Sequence, residues 1–349
     1  MNFSSDNAEG WAPEILDALA RAGTGPMPAY GNDPLTGEVA RRFNALFERD
    51  VAVFLVSTGT AANGLAFAAA CPPYGVIFVH AAAHAQVDEC GAPEFFTGGA
   101  KLIALHGDNG KVAPGTLAEA LAHFYDGFVH HAQPSVLSLT QSTESGTVYT
   151  CAEIDALAQV ARARRIAVHM DGARFANALV HLGCSPAEAT WKAGVDLMSF
   201  GATKNGCLAA EAVVFFHPEC VRSFDFLRKR SGHLVSKHRV LSAQMLAYLD
   251  GDLWLRLASH ANRMATQLSS ALHGIAGVRL WYPVEANEVF VSFPGDVAWR
   301  LMAKGASFHP WQVPGDPAGG RMCRLVTSFN THADDVDRFV ELVRALCEP

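Results

Sequence analysis

The residues best suited to chemistry in this chain are a lysine, an aspartate and an arginine, each placed just after an apolar run that reads as a buried strand. The run Val195-Asp196-Leu197-Met198-Ser199-Phe200 stops at the small-residue turn Gly201-Ala202-Thr203-Lys204-Asn205-Gly206. The run Ile166-Ala167-Val168-His169-Met170 ends in Asp171-Gly172-Ala173-Arg174. In an open α/β sheet the carboxyl ends of parallel strands face one crevice, so Lys204, Asp171 and Arg174 are expected to converge on one ligand. A lysine amine can hold an aldehyde as a Schiff base, and an acid opposite a pyridine nitrogen keeps that nitrogen protonated. Together they are the pair that pyridoxal phosphate requires. Taken alone, Lys204 reads as a surface lysine beside a strand end; the matching placement of Asp171 makes it a candidate.

The elements around this pair supply the rest of a site. Ser57-Thr58-Gly59-Thr60-Ala61-Ala62-Asn63-Gly64 follows the strand Val51–Val56 and precedes an alanine-rich helix expected over Leu65–Ala70. A strand, a small-residue turn and a helix start form an anion site, because free backbone N–H groups and the helix dipole point at one spot. Thr58, Gly59 and Thr60 are therefore expected to hold the cofactor phosphate, in a loop that is neither a Walker loop nor GxGxxG. His84 follows the strand Val76–His80 at the same sheet edge, where an imidazole can stack on a pyridine ring and reach a substrate hydroxyl.

His169–Arg174 and Thr203-Lys204, with Ser5-Asp6-Asn7, Tyr30-Gly31-Asn32-Asp33-Pro34, Thr58–Asn63 and Arg324, resemble the low-specificity threonine aldolases among the fold type I pyridoxal enzymes. The resemblance spans nearly the whole chain. It implies cleavage of L-threonine, L-allo-threonine or a relative such as L-phenylserine to glycine and an aldehyde. It also implies that Lys204 holds the cofactor, that Asp171 pairs with the ring nitrogen, and that His84 stacks on the ring; a base must then take the β-hydroxyl proton, and His84 is the expected one, directly or through water. His84 precedes Glu89-Cys90-Gly91-Ala92, which matches the family's E-x-G-A context. Arg324, with Arg174 and Ser5, is implied as the clamp on the substrate carboxylate, with Arg321 its competitor. Ser5 and Tyr30 are implied to lie near cofactor or substrate, and Arg230 and Lys237 to reach the phosphate of a neighbouring subunit in a homodimer or homotetramer. One departure stands out: Glu144, in Thr140–Gly146, occupies a place where many family members carry a histidine, which bears on the group that assists the hydroxyl proton.

Strand-like and helix-like segments alternate, which points to an α/β fold with a doubly wound, mainly parallel sheet. The expected division is an arm over 1–45, a large pyridoxal-binding domain over 46–249 and a smaller α+β domain over 250–349. Helical periodicity is expected from Val240 to Leu272, with strands at Val278–Tyr282, Glu288–Phe293 and Cys323–Phe329. Thr331 and Asp334 suggest a capping-box-like start for a last helix over Ala333–Leu346.

Composition limits the remaining readings. The 349 residues are 50% apolar and carry a formal net charge of −7, which gives a large core and no basic surface for nucleic acid. No apolar run is long enough to span a membrane, and the first residues lack the features of a signal peptide, so a cytoplasmic location is expected. The eight cysteines show no CxxC or zinc-like spacing and are expected to be reduced thiols; among the 15 histidines only His130-His131 is adjacent, and no metal site is expected. Three competing readings remain. A fold type I lyase acting by β-elimination would need the same Lys204 and Asp171. A pyridoxal-sensing regulator would normally add a DNA-binding segment, and a nicotinamide oxidoreductase would carry the glycine fingerprint that is missing here.

Overall fold

The apolar runs of the first two-thirds of the chain become seven strands in the computed structural model, which describes all residues except 218–220, 222, 312–321 and 348–349. These are β1 (Ala52–Val56), β2 (Gly75–His80), β3 (Lys101–Leu105), β4 (Gln133–Thr140), β5 (Ala167–Gly172), β6 (Leu197–Gly201) and β7 (Glu211–Phe215). They form one sheet in the order β1-β7-β6-β5-β4-β2-β3. Neighbours from β3 to β6 pair in parallel, and only β7 runs antiparallel to both strands beside it. This is the mainly parallel sheet expected from the sequence, with one reversed strand. Every residue of β6 and β7 is buried, which explains why both are apolar apart from Ser199 and Glu211.

The helix after β1 is Gly59–Ala70, starting earlier than the alanine-rich run suggests. Thr58 sets that start: its hydroxyl accepts from the Ala61 amide at 3.2 Å. On the other face of the sheet, Phe43 and Phe200 pack edge to face at 5.1 Å and Phe47 and Phe216 at 5.0 Å. Each such fully buried ring contributes ~1.5–3 kcal/mol of transfer free energy, so this face fixes the strands that carry the site.

A second, antiparallel sheet follows, of β8 (Arg279–Leu280), β9 (Glu288–Ser292), β10 (His309–Pro310) and β11 (Met322–Val326), in the order β10-β11-β9-β8. Its core gathers Leu268, Val289, Leu325 and Phe339, and the N-terminal arm joins it. Phe3 is fully buried with its ring 5.1 Å from Phe339, its amide donates to Ser307 O at 2.7 Å, and its carbonyl accepts from the Val326 amide at 2.9 Å. A few residues on, the Ala12 amide donates to Gly206 O at 2.9 Å. The arm is thus pinned to the small sheet and to the lysine turn, and Ser5–Asn7 is held between them.

The periodicity expected from Val240 to Leu272 is interrupted. Helix Arg239–Leu249 ends at a turn where Gly251 (φ 52°) and Asp252 (φ 55°) are left-handed, and a new helix, Leu253–Leu272, begins. The second helix packs Trp254 and Ala258 on the large core and Leu268 and Leu272 on the small one, so it ties the two together. Thr331 Oγ1 accepts from the Ser328 amide at 2.8 Å, fixing the turn before the last helix, Ala333–Cys347. No helix among the described residues is long and apolar enough to cross a membrane.

Candidate active site

The ends of β5 and β6 approach closely because both carry glycine. A Cβ on Gly201 would meet the Ala173 carbonyl oxygen at 2.5 Å, and one on Gly172 the Ser199 carbonyl oxygen at 2.7 Å. Asp171 lies at the end of β5, and Lys204 sits in the short helical turn Thr203–Asn205 that follows β6. Both line a cavity of about 360 Å³ together with Thr58, Gly59, Thr60 and His84. Asn63, Glu89, Glu144 and Glu211 complete its polar wall.

A hydrogen-bonded chain runs along the floor. Asp171 Oδ2 accepts from Asn63 Nδ2 at 2.8 Å and Oδ1 accepts from the Ala173 amide at 3.1 Å. The same Asn63 nitrogen donates to Glu89 Oε1 at 2.9 Å, and Glu89 Oε1 lies 2.9 Å from His84 Nδ1. The pair with Glu89 holds the His84 imidazole above its ordinary pKa, against the opposing effect of burial. Burial likewise lifts the Glu89 carboxyl. The shared charge favours the imidazole, whose side chain is 36% exposed against 1% for Glu89. Beneath Asp171, His169 is fully buried between Ser138 Oγ at 2.9 Å and Ser199 Oγ at 3.2 Å, and burial drops its pKa to about 4. It is a neutral structural imidazole.

Glu211 opens β7 inside the cavity. Its Oε2 accepts from the Ala202 amide at 3.1 Å, bracing the turn that carries Lys204, and burial pushes its carboxyl up to about 7. Sequence reasoning passed over Glu211 and Asn63. The signal for Glu211 was a lone acid opening an otherwise apolar strand; that for Asn63 was an amide on the first turns of the helix that starts the phosphate loop.

Arg174 points away from solvent into a different cluster. Its Nε and Nη2 donate to Asp6 at 2.7 and 3.0 Å, and Nη1 lies 3.3 Å from Glu288. Burial alone would raise the Asp6 carboxyl, but the Arg174 guanidinium outweighs it and leaves that carboxyl below its usual range. Glu288, with no exposed side-chain surface, is pushed up to about 6 by burial. Arg324 adjoins the same acid at 3.9 Å and stacks 4.0 Å over the Trp311 ring; its Nε is buried without a hydrogen-bond partner among the described residues.

The remaining expected residues do not line the cavity in a single chain. Ser5 caps the turn at Asp6–Ala8, its hydroxyl accepting from the Asn7 amide at 3.1 Å, and it is Asn7 that reaches the cavity. Tyr30 is 47% exposed with Lys229 4.6 Å over its ring. Arg230 and Lys237 are exposed, and Arg321 lies outside the described residues.

The donor set fits pyridoxal phosphate. In the first turn of Gly59–Ala70 the amides of Gly59 and Thr60 have no helical carbonyl to bond, and a Cβ on Gly59 would meet nothing within 4 Å, so a phosphate can approach the backbone. An amine on Lys204, a carboxylate on Asp171 and an imidazole on His84 share the same space. Sheet order, family and structural superposition together make this a fold type I pyridoxal-phosphate enzyme. The chain belongs to the beta-eliminating lyase family, whose sequence profile matches residues 2–294.

Among its relatives is a low specificity L-threonine aldolase of Pseudomonas aeruginosa, 42% identical over 98% of this chain and 96% of that protein. A Leishmania major threonine aldolase structure superposes with a TM-score of 0.92 at 27% identity, covering 99% of both chains. A probable N-succinyldiaminopimelate aminotransferase of Thermus thermophilus shares the fold, with a TM-score of 0.73 at 15% identity over 99% of this chain and 94% of that one.

Proposed function

We propose that the protein is a carbon–carbon lyase that cleaves L-threonine, L-allo-threonine or related β-hydroxy-α-amino acids such as L-phenylserine to glycine and an aldehyde. The observation that carries this reading is the delivery of Lys204 and Asp171 to one cavity from the ends of adjacent strands. The match to an L-threonine aldolase over 98% of the chain supports the choice of reaction.

Lys204 would hold the cofactor aldehyde through its Nζ, and the first-turn amides after Thr58 would hold the phosphate. Asp171, held by the Asn63 and Ala173 donors, keeps a proton at the ring nitrogen. When bound, pyridoxal phosphate supplies the electron sink for the bond that breaks. Selecting the Cα–Cβ bond for cleavage would require the substrate to be held in one orientation, so its carboxylate must be clamped. Arg324 is the guanidinium with capacity to spare, since its Nε has no partner among the described residues, while Arg174 is occupied by Asp6 and Glu288. A product assay with both threonine diastereomers and phenylserine, in both enantiomers, tests the reading. Glycine and aldehyde from the L-forms are expected; pyruvate and ammonia without glycine would assign the β-elimination chemistry instead.

The working form is a homodimer or homotetramer with sites near the interface. Trp11, Leu16 and Met27 on the arm are 46%, 50% and 38% exposed, and Lys237 has no role in its own cavity. A fully active monomer in sedimentation at micromolar concentration would overturn this. A cytoplasmic location goes with this reading, since the eight cysteines carry no disulfide-framework or CxxC spacing; cell fractionation tests it.

A further inference from the structure

We propose that Glu144 takes the proton from the substrate β-hydroxyl, the task that the sequence alone assigned to His84. The proposal rests on the aldolase reading above. It starts from a difference among the carboxyls that line the cavity. Asp171 is engaged by Asn63 and the Ala173 amide, Glu89 by Asn63 and His84, and Glu211 by the Ala202 amide. Glu144 is half-buried, lines the same cavity and accepts no hydrogen bond from the described residues. Its lone pairs are therefore open to a ligand.

The loop that carries it is rigid. The Thr143 amide donates to Thr147 O at 2.8 Å, the Gly146 amide donates to Thr143 O at 2.9 Å, and the two threonine hydroxyls meet at 2.8 Å. Thr143 and Ser145, on either side, are buried at 0% and 3% exposure, so Glu144 is the one side chain of this turn turned toward the cavity. It shares the cavity with His84, and its charge is felt by both the imidazole and the Arg174 guanidinium. His84 is differently engaged: its Nδ1 pairs with Glu89 Oε1 at 2.9 Å, and that contact raises its pKa against burial, which favours the donor form of the ring. His84 donates to the substrate; Glu144 accepts from it.

The step balances as follows. The hydroxyl O–H breaks and its proton passes to the Glu144 carboxylate. The O–H electron pair becomes the second bond of the aldehyde carbonyl as the Cα–Cβ bond breaks. The pair from that bond stays on Cα, which then takes a proton from water to complete glycine, and Glu144 returns its own proton to solvent.

Three measurements on Glu144→Gln test the proposal. Cofactor titration of the apoprotein, followed by absorbance, is expected to match wild type, which certifies the fold and the cofactor site. Exchange of the glycine Cα proton in heavy water, followed by NMR, is also expected to survive, because glycine has no hydroxyl. The kcat/KM for cleavage of L-threonine is expected to fall about 10²- to 10⁴-fold, with partial recovery in Glu144→Asp. Cleavage at the wild-type rate, or loss of glycine exchange together with cleavage, overturns the proposal. A wild-type protein that neither exchanges glycine nor cleaves substrate overturns the aldolase reading itself, and the proposal with it.

Discussion

In the cavity, Asp171 and Glu89 are held by the neutral amide of Asn63 at 2.8 and 2.9 Å. At the junction with the small sheet, Asp6 and Glu288 are held by the Arg174 guanidinium at 2.7 and 3.3 Å. Both clusters bury acids, but with opposite consequences. An amide fixes the direction of a carboxylate and leaves its charge available to a cationic ligand. A guanidinium cancels the charge and leaves an uncompensated one behind if it is removed. The first arrangement suits chemistry and the second suits architecture, although the sequence offered Asp171 and Arg174 side by side as members of one site.

The comparison can be broken from either end. Lys204→Ala should lose turnover by several orders of magnitude while the protein stays folded and binds cofactor without a borohydride-fixable bond; retention of that bond would remove Lys204 from its role. Asp171→Asn should approach the same loss, because an amide cannot balance a ring-nitrogen proton, and normal turnover would release Asp171 from the pairing. Arg174→Met should instead act on the fold, leaving Asp6 with only the Asn287 amide and Glu288 with only the more distant Arg324, at ~3–5 kcal/mol in urea unfolding of the apoprotein. A stability loss near zero there would make Arg174 a ligand-binding group after all.

Glu211 lies between these cases. Its pKa rises from an ordinary 4.5 to about 7 on folding, so its contribution to stability is full below pH 4.5 and is lost as pH climbs through 7. That loss is ~3 kcal/mol, and Glu211→Gln should escape it, overtaking wild type in apoprotein stability between pH 5 and pH 8. Parallel stability curves for the two proteins would show that Glu211 stays charged throughout. The smallest effect expected is that of Arg324→Lys. Losing the planar fork on a substrate carboxylate costs roughly 1.5–3 kcal/mol, or about ten- to hundredfold in kcat/KM, with cofactor absorbance untouched. Unchanged kinetics would place the clamp elsewhere.

Lys204, Asp171, Thr58–Thr60 and His84 were legible in the sequence because each stands where an apolar run stops abruptly, and parallel strands bring such stops to one edge. Asn63 was not, since its role depends on Thr58 capping the helix and so advancing its start to Gly59. Glu288 and Arg324 sit on adjacent strands of the small sheet, and their relation to Asp6 exists only once Phe3 is docked in that sheet's core. Sequence spacing carries no trace of such a contact. Tyr30 and Lys237 were drawn to the site by resemblance alone, and in one chain both are exposed.

Strand β7 limits how this scaffold can vary. The cavity groups on Lys204 and His84 arrive after strands have ended, where loops can lengthen without disturbing a neighbour, and Asp171 stands at the last positions of β5. Glu211 arrives at the beginning of a reversed strand, paired with Gly201 on one side and Val56 on the other. Side chains alternate faces along a strand, so a change that slid β7 by one residue would present Ala210 or Ala212 in place of the acid. The short turn joining β6 to β7 is therefore the least forgiving place for an insertion, and swapping loops there would retune the lysine's surroundings all at once.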